Sequence, residues 1–116
     1  MKRRFFVFVT LLFFALNLTA YASNRANVSN LRLSFSGTTA YCSAVCNGDK
    51  ATDSISATLT LYQGSTEIDS WSNLGTFCVP VSGNCNVSSG VTYRLELTWT
   101  VNGVAQPDFS VTNTCP

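Results

Sequence analysis

The sequence predicts an all-β protein in which two antiparallel sheets, seven or eight short strands in all, face each other as a sandwich behind a secretory signal peptide. Three observations predict it. Apolar and polar residues alternate with period two over long stretches, Gly, Asn and Pro punctuate those stretches, and the first 22 residues have the charge and hydropathy profile of an export signal.

The opening segment, MKRRFFVFVTLLFFALNLTAYA, has Lys2, Arg3 and Arg4 as a basic head and an apolar run from Phe5 to Leu18 broken only by Thr10 and Asn17. Ala20-Tyr21-Ala22 is a small-x-small exit, so cleavage is expected after Ala22. As a helix the apolar run spans about 21 Å, short of the roughly 30 Å hydrocarbon core of a bilayer. No second apolar stretch follows, and the expected product is a secreted, extracellular monomer with no membrane attachment. Three of the seven basic residues leave with the signal while all six acidic ones stay. The mature chain therefore carries a net charge of −2, which removes the electrostatic basis for a nucleic-acid partner. Residues 23–116 make one domain, small enough for covalent staples to matter.

Within that domain, Leu31, Leu33 and Phe35 share one parity and predict an early strand, and Ile55, Ala57, Leu59 and Leu61 predict another with Thr58, Thr60 and Tyr62 outward. The clearest alternation is VTYRLELTWTV, where Val91, Tyr93, Leu95, Leu97, Trp99 and Val101 point one way and Thr92, Arg94, Glu96, Thr98 and Thr100 the other. Shorter strands are expected near residues 39–46, 66–71, 75–79, 85–87 and 109–115. Asn102-Gly103 between two valines is a strong hairpin signal, because both residues tolerate positive φ. Gly64-Ser65 and Ser89-Gly90 mark two further turns. Pairing Val101 with Val104 sets Leu97 against Asp108, the wrong face. One extra residue in the returning strand pairs Leu97 with Phe109 and Leu95 with Val111, so a bulge is expected near Gln106 and Pro107, where proline lacks the ladder N–H. Two sheets closing over the inward residues form an immunoglobulin-like sandwich.

Five cysteines follow the signal: Cys42, Cys46, Cys78, Cys85 and Cys115. In an oxidising compartment they read first as disulfides. The chain has no His and no Cys-x-x-Cys, so neither a zinc site nor a thioredoxin-type redox site is expected, and no cofactor is implied. In FCVPVSGNC the Pro and Gly favour a reversal that brings Cys78 and Cys85 together. Cys115, at the end of the last strand, then pairs with Cys42 on an early one. Cys46 is left as a buried free thiol, with a swap into the Cys115 pair or an intermolecular bridge as alternatives.

Without His the usual catalytic triads are excluded, and no catalytic or metal residue is assigned. Glu67 and Asp69, two apart, share one face of a strand and read as a solvated edge rather than an acid pair. Asn47-Gly48-Asp49 with Asp53 offers oxygens but lacks the spacing of a calcium loop and reads as a turn. Trp71 is out of phase with Ile68. Either it folds over the open edge of the core, or it faces solvent and stacks on a ligand, joined by the outward Tyr62.

The segments LRLSFSGTTAYCSA, ISATLTLYQGSTEIDSWS and TYRLELTWTVNG resemble a family of small secreted, immunoglobulin-like proteins of Gram-positive bacteria that have no assigned function. The resemblance implies a sandwich, a signal peptide and extracellular release, and it supplies no catalytic residue. CVPVSGNC departs from the Ser/Thr-rich hairpin usual there. The expected function is a noncatalytic binding or structural domain whose partner is a surface glycan, wall component or protein. The alternative is a diffusible effector, a toxin or protease inhibitor, acting through the disulfide-closed 78–85 loop.

Overall fold

A computed structural model describes residues 26–116; the expected signal peptide lies outside the described residues. Eight strands form among the described residues: β1 (Asn27–Ser36), β2 (Thr39–Asn47), β3 (Ser54–Gln63), β4 (Thr66–Thr76), β5 (Cys78–Asn86), β6 (Thr92–Val101), β7 (Val104–Ala105) and β8 (Phe109–Thr114). They divide into a three-stranded sheet, order β1-β2-β5, and a five-stranded sheet, order β4-β3-β6 with β7 and β8 both on β6. Every pairing is antiparallel.

Alternation places the core. Leu33, Cys42, Ala44, Cys46, Val79 and Val81 close one side, and Ile55, Leu59, Leu61, Leu95, Leu97 and Trp99 close the other, all buried in a single cluster. The ladder joining β3 to β6 sets Leu59 opposite Leu97 and Leu61 opposite Leu95, so four of the largest fully buried side chains meet in two rows. Burying each such Leu contributes about 1.5–3 kcal/mol.

The expected hairpin and bulge are both present. Val101 pairs with Val104 across Asn102 (φ 52°) and Gly103 (φ 82°), while Leu97 pairs with Phe109 and Leu95 with Val111. The extra residue lies between Ala105 and Phe109. There the Gln106 N–H still donates to the Trp99 carbonyl at 2.9 Å, and the Trp99 indole N–H donates to the Pro107 carbonyl at 3.1 Å. The buried indole thus takes up an acceptor that the interrupted ladder leaves over.

The middle of the chain departs from expectation. Residues 78–86 are one continuous strand, with no reversal at Pro80 or Gly83. Pro80 sits opposite Val45 on β5, an edge strand whose other side needs no ladder N–H, and that is where a sheet tolerates proline. The break falls instead at Phe77, whose φ of 63° turns the chain out of β4 in one sheet and into β5 in the other. Its N–H donates to the Asp53 carbonyl at 2.8 Å and its carbonyl accepts from the Gly48 N–H, which anchors this corner to the β2–β3 loop. Ser89-Gly90 does turn the chain, with Gly90 at φ 81°, but it carries the chain between sheets rather than closing a hairpin.

A second bulge was not anticipated. Leu61 pairs with Asp69 but Tyr62 with Glu67, so Ile68 is the extra residue. It shifts the phase of β4 and puts Trp71 opposite the inward Leu59, which removes the conflict between Trp71 and Ile68 noted in the sequence. The same shift separates Glu67, opposite the outward Tyr62, from Asp69, opposite the inward Leu61. The shared face expected for these two carboxylates is therefore lost.

Candidate functional site

The outer face of the three-stranded sheet carries an open groove of about 350 Å³. Register builds it. Ser34, Tyr41 and Asn84 stand in one row across β1, β2 and β5, and Arg32, Ser43 and Ser82 stand in the next. These positions face outward because their chain neighbours Leu33, Cys42 and Val81 face the core. Tyr41 is 47% exposed, giving the groove one aromatic wall. Arg32 has no carboxylate partner among the described residues, so its guanidinium is available to a ligand. The groove thus offers hydroxyl and amide groups that both donate and accept, a planar donor fork and a ring face. None of these lining side chains is an acid or imidazole able to take a proton from the serines.

The residues singled out from sequence lie elsewhere. Trp71 belongs to the inner face and leans over Gly83 of β5; a Cβ added at Gly83 would meet the indole at 2.3 Å. It covers the core where β4 and β5 approach each other, an edge also joined by the Asn73 amide donating to the Pro80 carbonyl at 2.7 Å. Tyr62 faces outward on the other sheet, so the two aromatics do not join. Its ring is already faced by the Arg94 guanidinium 4.5 Å from the centroid. Arg94 in turn contacts Glu96 at 3.7 Å and donates to the Gly64 carbonyl at 3.2 Å. Sequence reading missed Tyr41 and Arg32, whose signal was parity: Tyr41 alternates with the small inward residues Ala40, Cys42 and Ala44.

The oxygen-rich loop after β2 is a turn closed on itself. Asp53, almost fully buried, accepts from the N–H groups of Asp49 at 2.8 Å and Lys50 at 2.9 Å and from the Asn102 amide at 3.0 Å. The Lys50 N–H, above all, holds this carboxyl below the usual carboxylate range; the Asn102 amide, the Asp49 N–H and the Lys50 charge add to the effect, while partial desolvation opposes it. Gly48 permits this packing, since a Cβ there would sit 2.9 Å from that of Asp53. No group of three or more acidic or cysteine side chains is placed to hold a metal ion among the described residues.

The cysteine arrangement differs from the expected pairs. All five are thiols in this structure. Cys78 and Cys85 lie at opposite ends of β5, seven residues and roughly 23 Å apart at strand rise, too far for a bridge. Cys115 is fully buried at the β1–β2 turn, where its thiol donates to the Gly37 carbonyl at 3.3 Å. Cys42 lies three residues into β2, roughly 10 Å at strand rise from the start of the strand next to that turn, so this pair does not meet either. The C-terminus is pinned instead by the main chain, through Cys115 N–H to the Val91 carbonyl at 2.9 Å and Gly90 N–H to the Cys115 carbonyl at 2.7 Å. Cys46 is fully buried on the face it shares with Cys42; burial, with Cys78 nearby, pushes its thiol up to about 11. No helix among the described residues is long and apolar enough to cross a membrane.

No family model matches the chain, and no curated protein matches it.

Proposed function

We propose that this chain is an exported, noncatalytic binding domain of immunoglobulin-like architecture, and that it holds a polyhydroxylated ligand, a surface glycan, in the groove walled by Tyr41 and Arg32. The observation that carries the reading is the side-chain composition of that groove: alternating hydrogen-bonding groups in two rows, one half-exposed ring and one unpaired cation on a rigid sheet. Sugar hydroxyls both donate and accept, and their C–H faces stack on aromatic rings, so this chemistry suits them. The immunoglobulin-like reading is supported by a three-stranded sheet, order 1-2-5, facing one of order 4-3-6-8. A second support is the Tyr93 hydroxyl near the start of β6, which accepts from the Ser88 N–H five residues upstream at 2.9 Å, as a tyrosine corner does. Export rests on the basic, apolar and small-residue succession of residues 1–22.

Affinity electrophoresis through gels containing soluble polysaccharides, followed by calorimetric titration with fragments of any that retard the protein, tests this. Retardation is expected, with Tyr41→Ala and Arg32→Ala each weakening binding roughly tenfold, about 1.4 kcal/mol. Unchanged affinity in both variants would move the site off this face, and no retardation by any polysaccharide would overturn the glycan reading. The effector alternative loses its structural basis, because residues 78–85 form a strand rather than a presented loop.

A further inference from the structure

We propose that Cys42 and Cys85 are an oxidisable pair, joined in an oxidising compartment by a disulfide that ties β2 to β5 beneath the Trp71 indole. The β2–β5 register sets Cys42 opposite Gly83 and Ala40 opposite Cys85, so the two cysteines are diagonal neighbours on the inner face of one ladder. Gly83 brings no side chain into the row of Cys42, and the next inward side chain along β5 is that of Cys85. Diagonal neighbours lie about 7–8 Å apart at Cα and closer at Cβ, roughly an ångström beyond the usual span of a disulfide. β5 is an edge strand, paired on one side only, and can lean inward by that distance.

Each alternative partner of Cys42 is farther away. Cys46 lies four residues along the same strand, about 13 Å at strand rise, Cys78 is at the far end of β5, and Cys115 is at the β1–β2 turn. The thiols also feel one another. Burial pushes Cys42 up to about 12, with Cys85 the next contributor and Asp69 the third, and burial followed by Asp69 raises Cys85.

In the reaction each thiol gives up its S–H hydrogen and one sulfur–sulfur bond forms. The two electrons and two protons reduce a disulfide oxidant, of the class of oxidised glutathione, to two thiols. Thiolate is the attacking species and the folded environment suppresses it at Cys42, so oxidation is carried out during refolding, before burial is complete.

Trypsin makes the test direct, since cleavage after Arg32, Lys50 and Arg94 leaves Cys42 and Cys46 in peptide 33–50, Cys78 and Cys85 in 51–94, and Cys115 in 95–116. Protein refolded with oxidised glutathione, blocked with iodoacetamide and digested without reduction is expected to yield 33–50 joined to 51–94. Fragmentation on the N-terminal side of Pro80 is expected to place a link on Cys85, and fragmentation within Ser43–Val45 to place its other end on Cys42. A bridge inside 51–94, a link from Cys42 to 95–116, a link carried by Cys78 alone, or full alkylation of Cys42 and Cys85 would each overturn the proposal.

Discussion

Gly83→Ala tests how the β4–β5 edge is closed. The glycine does not have positive φ, and on backbone grounds alone alanine in a strand is better than glycine by roughly 0.5–1 kcal/mol. The structure reverses the sign. The new Cβ falls 2.3 Å from Cε2 and Nε1 of Trp71, more than an ångström inside ordinary contact, and the obstacle is a rigid ring rather than a flexible tip. Overpacking of this kind costs about 1–3 kcal/mol, so a net loss of about 2 kcal/mol is expected, a fall in Tm of roughly 10 °C for a domain of this size. Calorimetry reads the loss, and a red shift of tryptophan emission reports the indole swinging into water. In a Trp71→Ala background the obstacle is gone, and Gly83→Ala is then expected to be neutral or stabilising by up to about 1 kcal/mol. The resulting coupling energy, about 2–3 kcal/mol in the double-mutant cycle, belongs to this one contact. A Gly83→Ala protein that melts within a degree of the parent, or a cycle that closes with no coupling, would refute the placement of Trp71.

Three further outcomes follow from other parts of the molecule. Asp53 has a folded pKa below its unfolded value, so the stability it contributes is present above about pH 4 and is lost as pH falls toward the folded value; urea titrations from pH 5 to pH 2 are expected to show a decline that Asp53→Asn flattens. Asn102→Ala removes the acceptor for the Ser54 N–H at 2.8 Å and the donor to Asp53 and puts alanine at φ 52°, which is expected to cost about 2 kcal/mol in chemical denaturation, whereas Asn102→Gly restores only the backbone share. In the reduced protein the exposed Cys78 is expected to react with iodoacetamide first, while Cys42 at pH 8 holds thiolate at a fraction on the order of 10⁻⁴; since its folded pKa is the raised one, reduced protein loses stability as pH climbs from about 9 toward 12, a trend that Cys42→Ala weakens and that the likewise raised Cys46 and Cys85 thiols sustain in part.

The strands that were legible were those whose partner is set by a short turn and whose two faces differ. In β3 and β6 every second residue is apolar and all but Ala57 are large, so a slip by one position would turn Leu95, Leu97 and Trp99 into solvent. That penalty made the bulge before Phe109 deducible by arithmetic on pairs alone. Around residues 75–87 the same reasoning failed, because β5 alternates with modest side chains and its Pro and Gly have two readings. They mark a reversal in a hairpin but are tolerated in an edge strand, and edge position is a property of the whole sheet. The bulge at Ile68 was hidden for a related reason, since β4 is mostly polar and gives no apolar rhythm against which a phase shift shows.

The chain by itself determined its fold class, the inward faces of β3 and β6, the Asn102-Gly103 hairpin and the β6–β8 register, because each follows from side-chain period and local backbone preference. Only the tertiary structure decided which strands share a sheet, and with that every long-range neighbour: Trp71 with Gly83, Cys42 with Cys85, Tyr41 with Arg32 across a common groove. The physical reason is that alternation says which way a side chain points, whereas what it meets depends on a partner strand brought in from dozens of residues away by packing that no local pattern encodes.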